Sequence, residues 1–127
     1  MQIDSETFRA RLSKPASWEE QAFRYCIFES FNEEGSHVTS LFLESTFQNC
    51  EWYWALFNCA VFVGVKFEKC TFRGCSFSGC RFVECIFEDC EFTLDSLGKG
   101  CNFLESRWYG CKQNRSKGLE GILVAGE

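Results

Sequence analysis

Cys70-Thr71-Phe72-Arg73-Gly74, Cys75-Ser76-Phe77-Ser78-Gly79, Cys80-Arg81-Phe82-Val83-Glu84, Cys85-Ile86-Phe87-Glu88-Asp89 is one five-residue phrase written four times. A phenylalanine recurs at Phe57, Phe62, Phe67, Phe72, Phe77, Phe82, Phe87 and Phe92, and a small residue stands two places before each. The helical period is about 3.6 and the strand period about 2, so a strict period of five requires a chain that turns a corner in every unit and coils. The register extends back through Trp52, Phe47 and Phe42 and forward to Leu97, twelve consecutive units without an insertion. The preceding small positions are Ser40, Ser45, Cys50, Ala55, Ala60, Val65, Cys70, Cys75, Cys80, Cys85, Cys90 and Asp95. One large and one small inward residue per unit can fill a narrow lumen at protein density. The other three positions, such as Lys69, Arg73, Ser78, Glu84 and Asp89, then face water, and Gly64, Gly74 and Gly79 fall at corners.

These units resemble the pentapeptide-repeat family, with Cys where the family usually carries Ala and Phe where it usually carries Leu. The resemblance covers residues 40–97 firmly. It extends more weakly through Cys26 and Phe28 and, after a one-residue slip at Gly98-Lys99-Gly100, through Cys101 with Phe103 and Ser106 with Trp108. It implies an all-β fold, a right-handed four-sided parallel β-helix with four pentapeptides per coil; the periodicity alone gives neither the hand nor the number of sides.

The chain divides into residues 1–39, 40–112 and 113–127. The first part holds the only proline, Pro15, and two short amphipathic pieces. Asp4 or Ser5 precedes Phe8 and Leu12, and Ser17-x-x-Glu20 has capping-box spacing ahead of Ala22 and Phe23, so a short helical lid over the open end is expected. Asn32-Glu33-Glu34-Gly35-Ser36-His37 breaks the phase and reads as a protruding loop, beside a degenerate first coil. In the tail, Ile122, Leu123 and Val124 either cover the last coil or dock on another surface. The 127 residues, 46% hydrophobic and 17% aromatic, are enough for one domain with a substantial core.

Ten cysteines invite a disulfide or metal reading. Eight of them (Cys26, Cys50, Cys70, Cys75, Cys80, Cys85, Cys90 and Cys101) occupy the small inward position, where a thiol is a good filler. Cys111 keeps the spacing, and only Cys59 points outward. Stacked thiols in neighbouring coils would lie about 4.8 Å apart and too parallel for easy bridging. No disulfide, metal or other cofactor is expected. Met1 to Phe8 does not read as a signal peptide, no membrane span is visible, and free thiols fit a reducing cytoplasm.

Nothing suggests catalysis. The single histidine, His37, has no serine or cysteine motif beside it, and carboxylate pairs such as Glu88 and Asp89 sit on a convex surface. The chain is therefore expected not to be an enzyme, and the net charge of −5 argues against direct binding of nucleic acid. With four units per coil, residues twenty apart stack. The face centred on Phe42, Phe62 and Phe82 then shows Leu41, Leu43, Val61, Val63 and Val83, with Leu104 joining if the slip is only a bulge. Such a strip marks an interface, for a second copy or another protein, unless the tail or lid covers it. The face centred on Trp52, Phe72 and Phe92 offers Tyr53, Trp54, Arg73 and Leu94 as aromatic and arginine anchors, unless the 32–39 segment covers Tyr53 and Trp54. Glu84, Glu88, Asp89 and Glu91 form an acidic band at one level. The leading functional reading is a module that sequesters or inhibits a protein, such as an immunity protein facing a toxin or an inhibitor facing a nucleic-acid enzyme. Some members of the family mimic DNA in the site of a topoisomerase, which makes that the second reading; a structural adaptor is the third. About five coils at roughly 4.8 Å span only some seven base pairs, and the acidic columns are interrupted by Gly64, Lys66, Lys69 and Arg73, so mimicry ranks below protein binding.

Overall fold

The computed structural model describes residues 2–123, and every regular element in them is a short strand; the helical lid expected near Ser17 does not form. Ser17 Oγ instead accepts from the Glu19 backbone N–H at 2.9 Å, closing a tight local turn. All pairing is parallel, and the strands build four sheets that we label faces I to IV. Face I stacks Gln2–Asp4, Ala22–Arg24, Leu41–Leu43, Val61–Val63, Arg81–Val83 and Arg107–Tyr109. Face II stacks Thr7–Arg9, Ile27–Glu29, Thr46–Gln48, Lys66–Glu68, Ile86–Glu88 and Lys112–Asn114. Face III holds Asn32–Glu34, Glu51–Tyr53, Thr71–Arg73 and Glu91–Thr93, and face IV holds His37–Val38, Leu56–Asn58 and Ser76–Ser78, extended by a bridge from Ser76 to Asn102. The molecule is a four-sided parallel β-helix.

The centre of nearly every strand points a ring into the lumen, and rings of one face stack almost parallel from coil to coil. On face I the centroids run Phe23–Phe42 at 5.2 Å, Phe42–Phe62 at 5.0 Å, Phe62–Phe82 at 4.9 Å and Phe82–Trp108 at 3.9 Å. Rings of adjacent faces meet at steep angles, as for Phe67 and Phe72 at 67°. Stacked along the axis and edge-on around it, each ring places positive edge against negative face. The small inward residues fill what remains, and their thiols reach carbonyls of the coil below: Cys80 Sγ lies 3.2 Å from Phe57 O and Cys85 Sγ 3.3 Å from Phe62 O. All ten cysteines are free thiols. Burial pushes the Cys80 thiol up to about 11, which makes it a filler rather than a nucleophile.

Nearly every corner takes one residue with positive φ, and side chains as large as Trp54 (φ 55) and Tyr25 (φ 56) accept it. The strain of a non-glycine residue there is about 1 kcal/mol or more. It is offset because the corner N–H donates up the ladder, as Glu44 N does to Val63 O at 2.8 Å and Asn49 N to Glu68 O at 2.9 Å.

Three departures from the five-residue rule shape the ends. Asn32 to His37 is not a protruding loop: it forms the face III strand Asn32–Glu34, turns at Gly35 (φ 68) and starts the face IV strand. The phase breaks because the corner between Val38 and Phe42 is one residue short, so Phe23 pairs with Phe42 and Val38 with Phe57 at a spacing of nineteen. The inward position at Glu33 carries a carboxylate because Trp18 fills the space below. Trp18 packs on Phe23, Phe28, Phe31 and Trp52, and its indole N–H donates to Glu33 Oε1 at 3.1 Å. Ser36 Oγ donates to the same oxygen at 2.9 Å, and Lys14 Nζ lies 3.8 Å from the other. The lid is thus an irregular segment that plugs the lumen with one ring.

At the other end the twelfth unit fails. Leu97 is 84% exposed, and Phe103 takes the next inward place, stacked on Phe77 at 5.3 Å. Six residues are inserted before the coil resumes, so Ser76 bridges Asn102 at a separation of twenty-six. Leu119 and Leu123 are buried over the last coil, with the Leu123 N–H donating to Leu119 O at 2.8 Å; Val124 lies outside the described residues. We expect Phe103→Ser to lower unfolding free energy by about 3 kcal/mol or more, as large-to-small core changes do, and Leu97→Ser to change it by less than about 0.5 kcal/mol. Denaturant titration checks both, and equal effects would contradict this register.

Candidate functional site

Face I carries the aliphatic strip. Leu41 and Val61 stand side by side in one column, and Leu43, Val63 and Val83 in the next. All five are partly exposed. Leu104 does not join them: the insertion before Cys101 carries it around one side to face IV, where its carbonyl accepts from Gly79 N at 3.1 Å. Its place above Val83 belongs to Tyr109, which with Tyr25 is one of two largely exposed tyrosines along this side. Ile122 and Leu123 line a hollow at the end of the coil with Trp108, Gly110, Cys111 and Lys112, away from the Leu43–Val63–Val83 column.

The strip runs between charged ends. Arg24 and Asp4 pair at 2.6 Å at the lower end. At the upper end Arg81 and Arg107 are direct neighbours in adjacent strands.

Face III presents a different surface. Tyr53 and Trp54 pack together with centroids 4.3 Å apart, covered by the inserted segment 94–100 rather than by residues 32–39. The Tyr53 hydroxyl donates to Ser96 Oγ at 2.7 Å and accepts from Ser96 N at 2.9 Å. The Trp54 indole donates to Asp95 Oδ2 at 2.8 Å, while Asp95 Oδ1 accepts from the Leu97 and Lys99 backbone N–H groups, both at 2.8 Å. To reach from its own coil down to Trp54, Asp95 crosses Gly74, where an added Cβ would come within 2.8 Å of Asp95 Cβ. The two aromatics therefore anchor a loop, and the apolar surface on this side is the part of Trp54 that stays exposed together with Leu94 and Leu97, which the loop itself carries. Arg73 borders a hollow of about 420 Å³ with Asn32, Glu34, Glu51, Trp52, Tyr53 and Trp54.

Glu84, Glu88, Asp89 and Glu91 occupy one coil, spread from the corner after face I to face III. Cations interrupt the band: Arg115 Nε lies 2.8 Å from Asp89 Oδ1, and Lys66 Nζ lies 3.1 Å from Glu68 and 3.7 Å from Glu88. Hydrogen bonding from Arg115 holds the Asp89 carboxyl below its ordinary value. His37 is exposed on a strand of face IV. Among the described residues no group of three His, Cys, Asp or Glu side chains could hold a metal ion, and no helix is long and apolar enough to cross a membrane.

A family model of pentapeptide repeats, in nine copies, matches residues 47–111. The chain belongs to the pentapeptide-repeat family. No curated protein matches it significantly in sequence. Among solved structures it is similar to the pentapeptide repeat protein Rfr23 from the cyanobacterium Cyanothece 51142, at 8% identity and a TM-score of 0.56, covering 91% of this chain and 86% of that one. A trypsin-treated form of QnrB1, a plasmid-mediated fluoroquinolone resistance protein, aligns at 10% identity with a TM-score of 0.40 over 91% of this chain and 69% of that one. At these identities the likeness to Rfr23 concerns the fold.

The length of the inserted loop was hidden because Leu97 stands in phase by coincidence; the slip at Gly98-Lys99-Gly100 marks its end, and Asp95-Ser96 ahead of Gly98, a turn-forming pattern, marks its start. Backbone hydrogen bonds from Lys99, then the Trp54 indole, hold the Asp95 carboxyl below its ordinary value. A depressed folded-state pKa means loop docking is favoured above the ordinary carboxylate range, and that contribution is lost as pH falls through the depressed value. Trp54 emission is expected to shift on acidification in the wild type and to lose that transition in Asp95→Asn. An identical acid titration in both proteins would refute the anchor.

Proposed function

We propose that this protein is a non-catalytic binding module that sequesters or inhibits a protein partner, and that face I is where the partner docks. One observation carries the reading: Leu41, Leu43, Val61, Val63 and Val83 lie in register on one side of the rod, and each of these outward positions would be soluble with Thr, Ser or a charge. Inward residues hold the coil together, so these side chains are not needed for folding. A rigid sheet also offers them without the ordering cost of a loop.

Face I is six strands deep. At about 4.8 Å per strand and about 10 Å per three-residue width it measures roughly 250 Å² in projection. A stable interface takes about 800 Å² per partner. A partner therefore takes in the exposed Tyr109 at the upper end of the face and reaches over the corners, where Tyr25 stands exposed. Two flat copies pressed face to face would bury too little. Free thiols throughout the lumen suit a reducing compartment, which favours a cytoplasmic partner.

Mimicry of DNA in a topoisomerase site is the weaker reading. The acidic band of Glu84, Glu88, Asp89 and Glu91 occupies a single coil and is neutralised in part by Lys66 and Arg115. Affinity capture from the source lysate tests the proposal: wild-type protein is expected to retain a partner that Val63→Glu loses, with both variants equally folded. Unchanged capture by Val63→Glu overturns face I as the docking side. A DNA supercoiling assay with a type II topoisomerase is expected to proceed unaltered in the presence of this protein, and protection or inhibition would restore the mimicry reading.

A further inference from the structure

We infer that the upper end of face I is a carboxylate clamp, in which Arg81 and Arg107 grip an acidic group on a partner segment whose aliphatic side chains lie along Leu43, Val63 and Val83. The inference rests on face I being the docking side and adds the chemistry of what docks there.

Charge is distributed against the average of the molecule. The chain carries a net −5, yet the outward strand positions of face I hold three arginines, Arg24, Arg81 and Arg107, against one acid, Asp4. Asp4 is already engaged, at 2.6 Å from Arg24. Arg81 and Arg107 face each other across adjacent parallel strands, in the register Arg81↔Arg107, and among the described residues neither makes an ion pair. Like charges placed directly opposite in a sheet oppose its pairing. Several cations elsewhere in the same structure meet carboxylates on neighbouring coils, as Arg9 meets Glu29 at 2.9 Å and Arg115 meets Asp89 at 2.8 Å, but among the described residues no other strand pair sets two cations directly opposite. The twin guanidiniums thus leave a concentrated positive charge open at one end of an apolar track.

Two planar forks one strand spacing apart, about 4.8 Å, can donate to both oxygens of one carboxylate, the pairing for which guanidinium geometry is suited. Val83 and Tyr109, paired beside them, exclude water from one flank once a partner is seated and so strengthen the contact. The fitting occupant is an aliphatic segment bearing an acidic residue at one end.

A second copy fits less well. Two face I surfaces would bring six arginines against two aspartates, both aspartates already paired. A nucleic acid fits less well again, because the acidic corner residues Glu44 and Glu84 border the same face.

The test uses the full chain and three labelled eight-residue peptides in which valine alternates with glutamate, glutamine or lysine, with affinities read by fluorescence anisotropy. The glutamate peptide is expected to bind about tenfold tighter than the glutamine peptide, the ratio of one charge-assisted contact. Arg81→Gln combined with Arg107→Gln should erase that advantage and leave glutamine-peptide binding unchanged, while Val63→Glu weakens both. Equal affinity for glutamate and glutamine peptides, an advantage that survives in the double variant, or no binding by any peptide overturns the clamp. A monomer–dimer equilibrium abolished by Val63→Glu in sedimentation would overturn it in favour of a second copy. The docking reading fails separately: partner capture that is lost in Val63→Glu and intact in the double arginine variant refutes the clamp alone, whereas capture intact in Val63→Glu refutes the docking face.

Discussion

The whole molecule depends on one packing constraint, that each five-residue unit must deliver one ring and one small side chain into a lumen whose walls are only one strand thick. Phe42, Phe62 and Phe82 repeat at about 5 Å because the strands carrying them do. A different spacing would break either the ladder or the stack. The hydrophobic burial of these rings, roughly 150–250 Å² each, offsets both the entropy of ordering and the strain of a left-handed residue at nearly every corner. Where the constraint is bent, the structure shows the cost. Trp52, larger than its column mates Phe72 and Phe92, leaves its indole N–H in the core without an acceptor, a penalty of about 1–3 kcal/mol.

Thiols serve the same constraint. A cysteine two places before a ring is small enough for the gap and, unlike the alanine found at Ala55 and Ala60, brings a donor that reaches a lumen carbonyl, as Cys70 does to Phe47 O at 3.4 Å and Cys111 to Phe82 O at 3.3 Å. Ser116 makes the same bond to Phe87 O at 3.1 Å near the end of the rod. The cysteine richness of this chain is therefore an answer to a packing and hydrogen-bonding need.

Residues 42–92 were legible because period five leaves one interpretation, and the ring positions, the corner glycines and the stacking at twenty residues all follow from it. The ends were not, because spacing records where a side chain falls and not what lies beneath it. Glu33 occupies a ring position that becomes tolerable only when Trp18, fifteen residues earlier, supplies both the missing bulk and a donor. The Ser17–Glu20 spacing suits a helix cap, but Trp18 gains more by entering the lumen than a short helix gains by forming. Leu97 keeps the period and nevertheless points to solvent, since Asp95 finds better partners in Trp54 and in its own loop backbone than a carboxylate would find in the small inward position. That single excursion turned the later units by one side, moved Leu104 off face I and put Tyr109 in its place. The two apolar columns of face I survived because both lie before the insertion.

A solenoid of this kind separates the work of folding from the work of recognition. The lumen side chains decide whether the coil forms, and alternate positions decide what the surface offers, so the two can be set independently along the same three-residue strand. Face II shows the ordinary outcome, with Arg9 and Glu29, Gln48 and Glu68, and Lys66 and Glu88 cross-linking neighbouring coils. Face I lacks such cross-links above the Asp4–Arg24 pair: its columns change from Leu43, Val63 and Val83 to Tyr109, and from Leu41 and Val61 to Arg81 and Arg107. Arg81 and Arg107, like charges directly opposite, forgo the modest stabilisation that complementary cross-strand pairs give. On a rod whose stability comes from its interior, that omission costs little, and it leaves one face with aliphatic surface and positive charge for which the molecule itself supplies no complement.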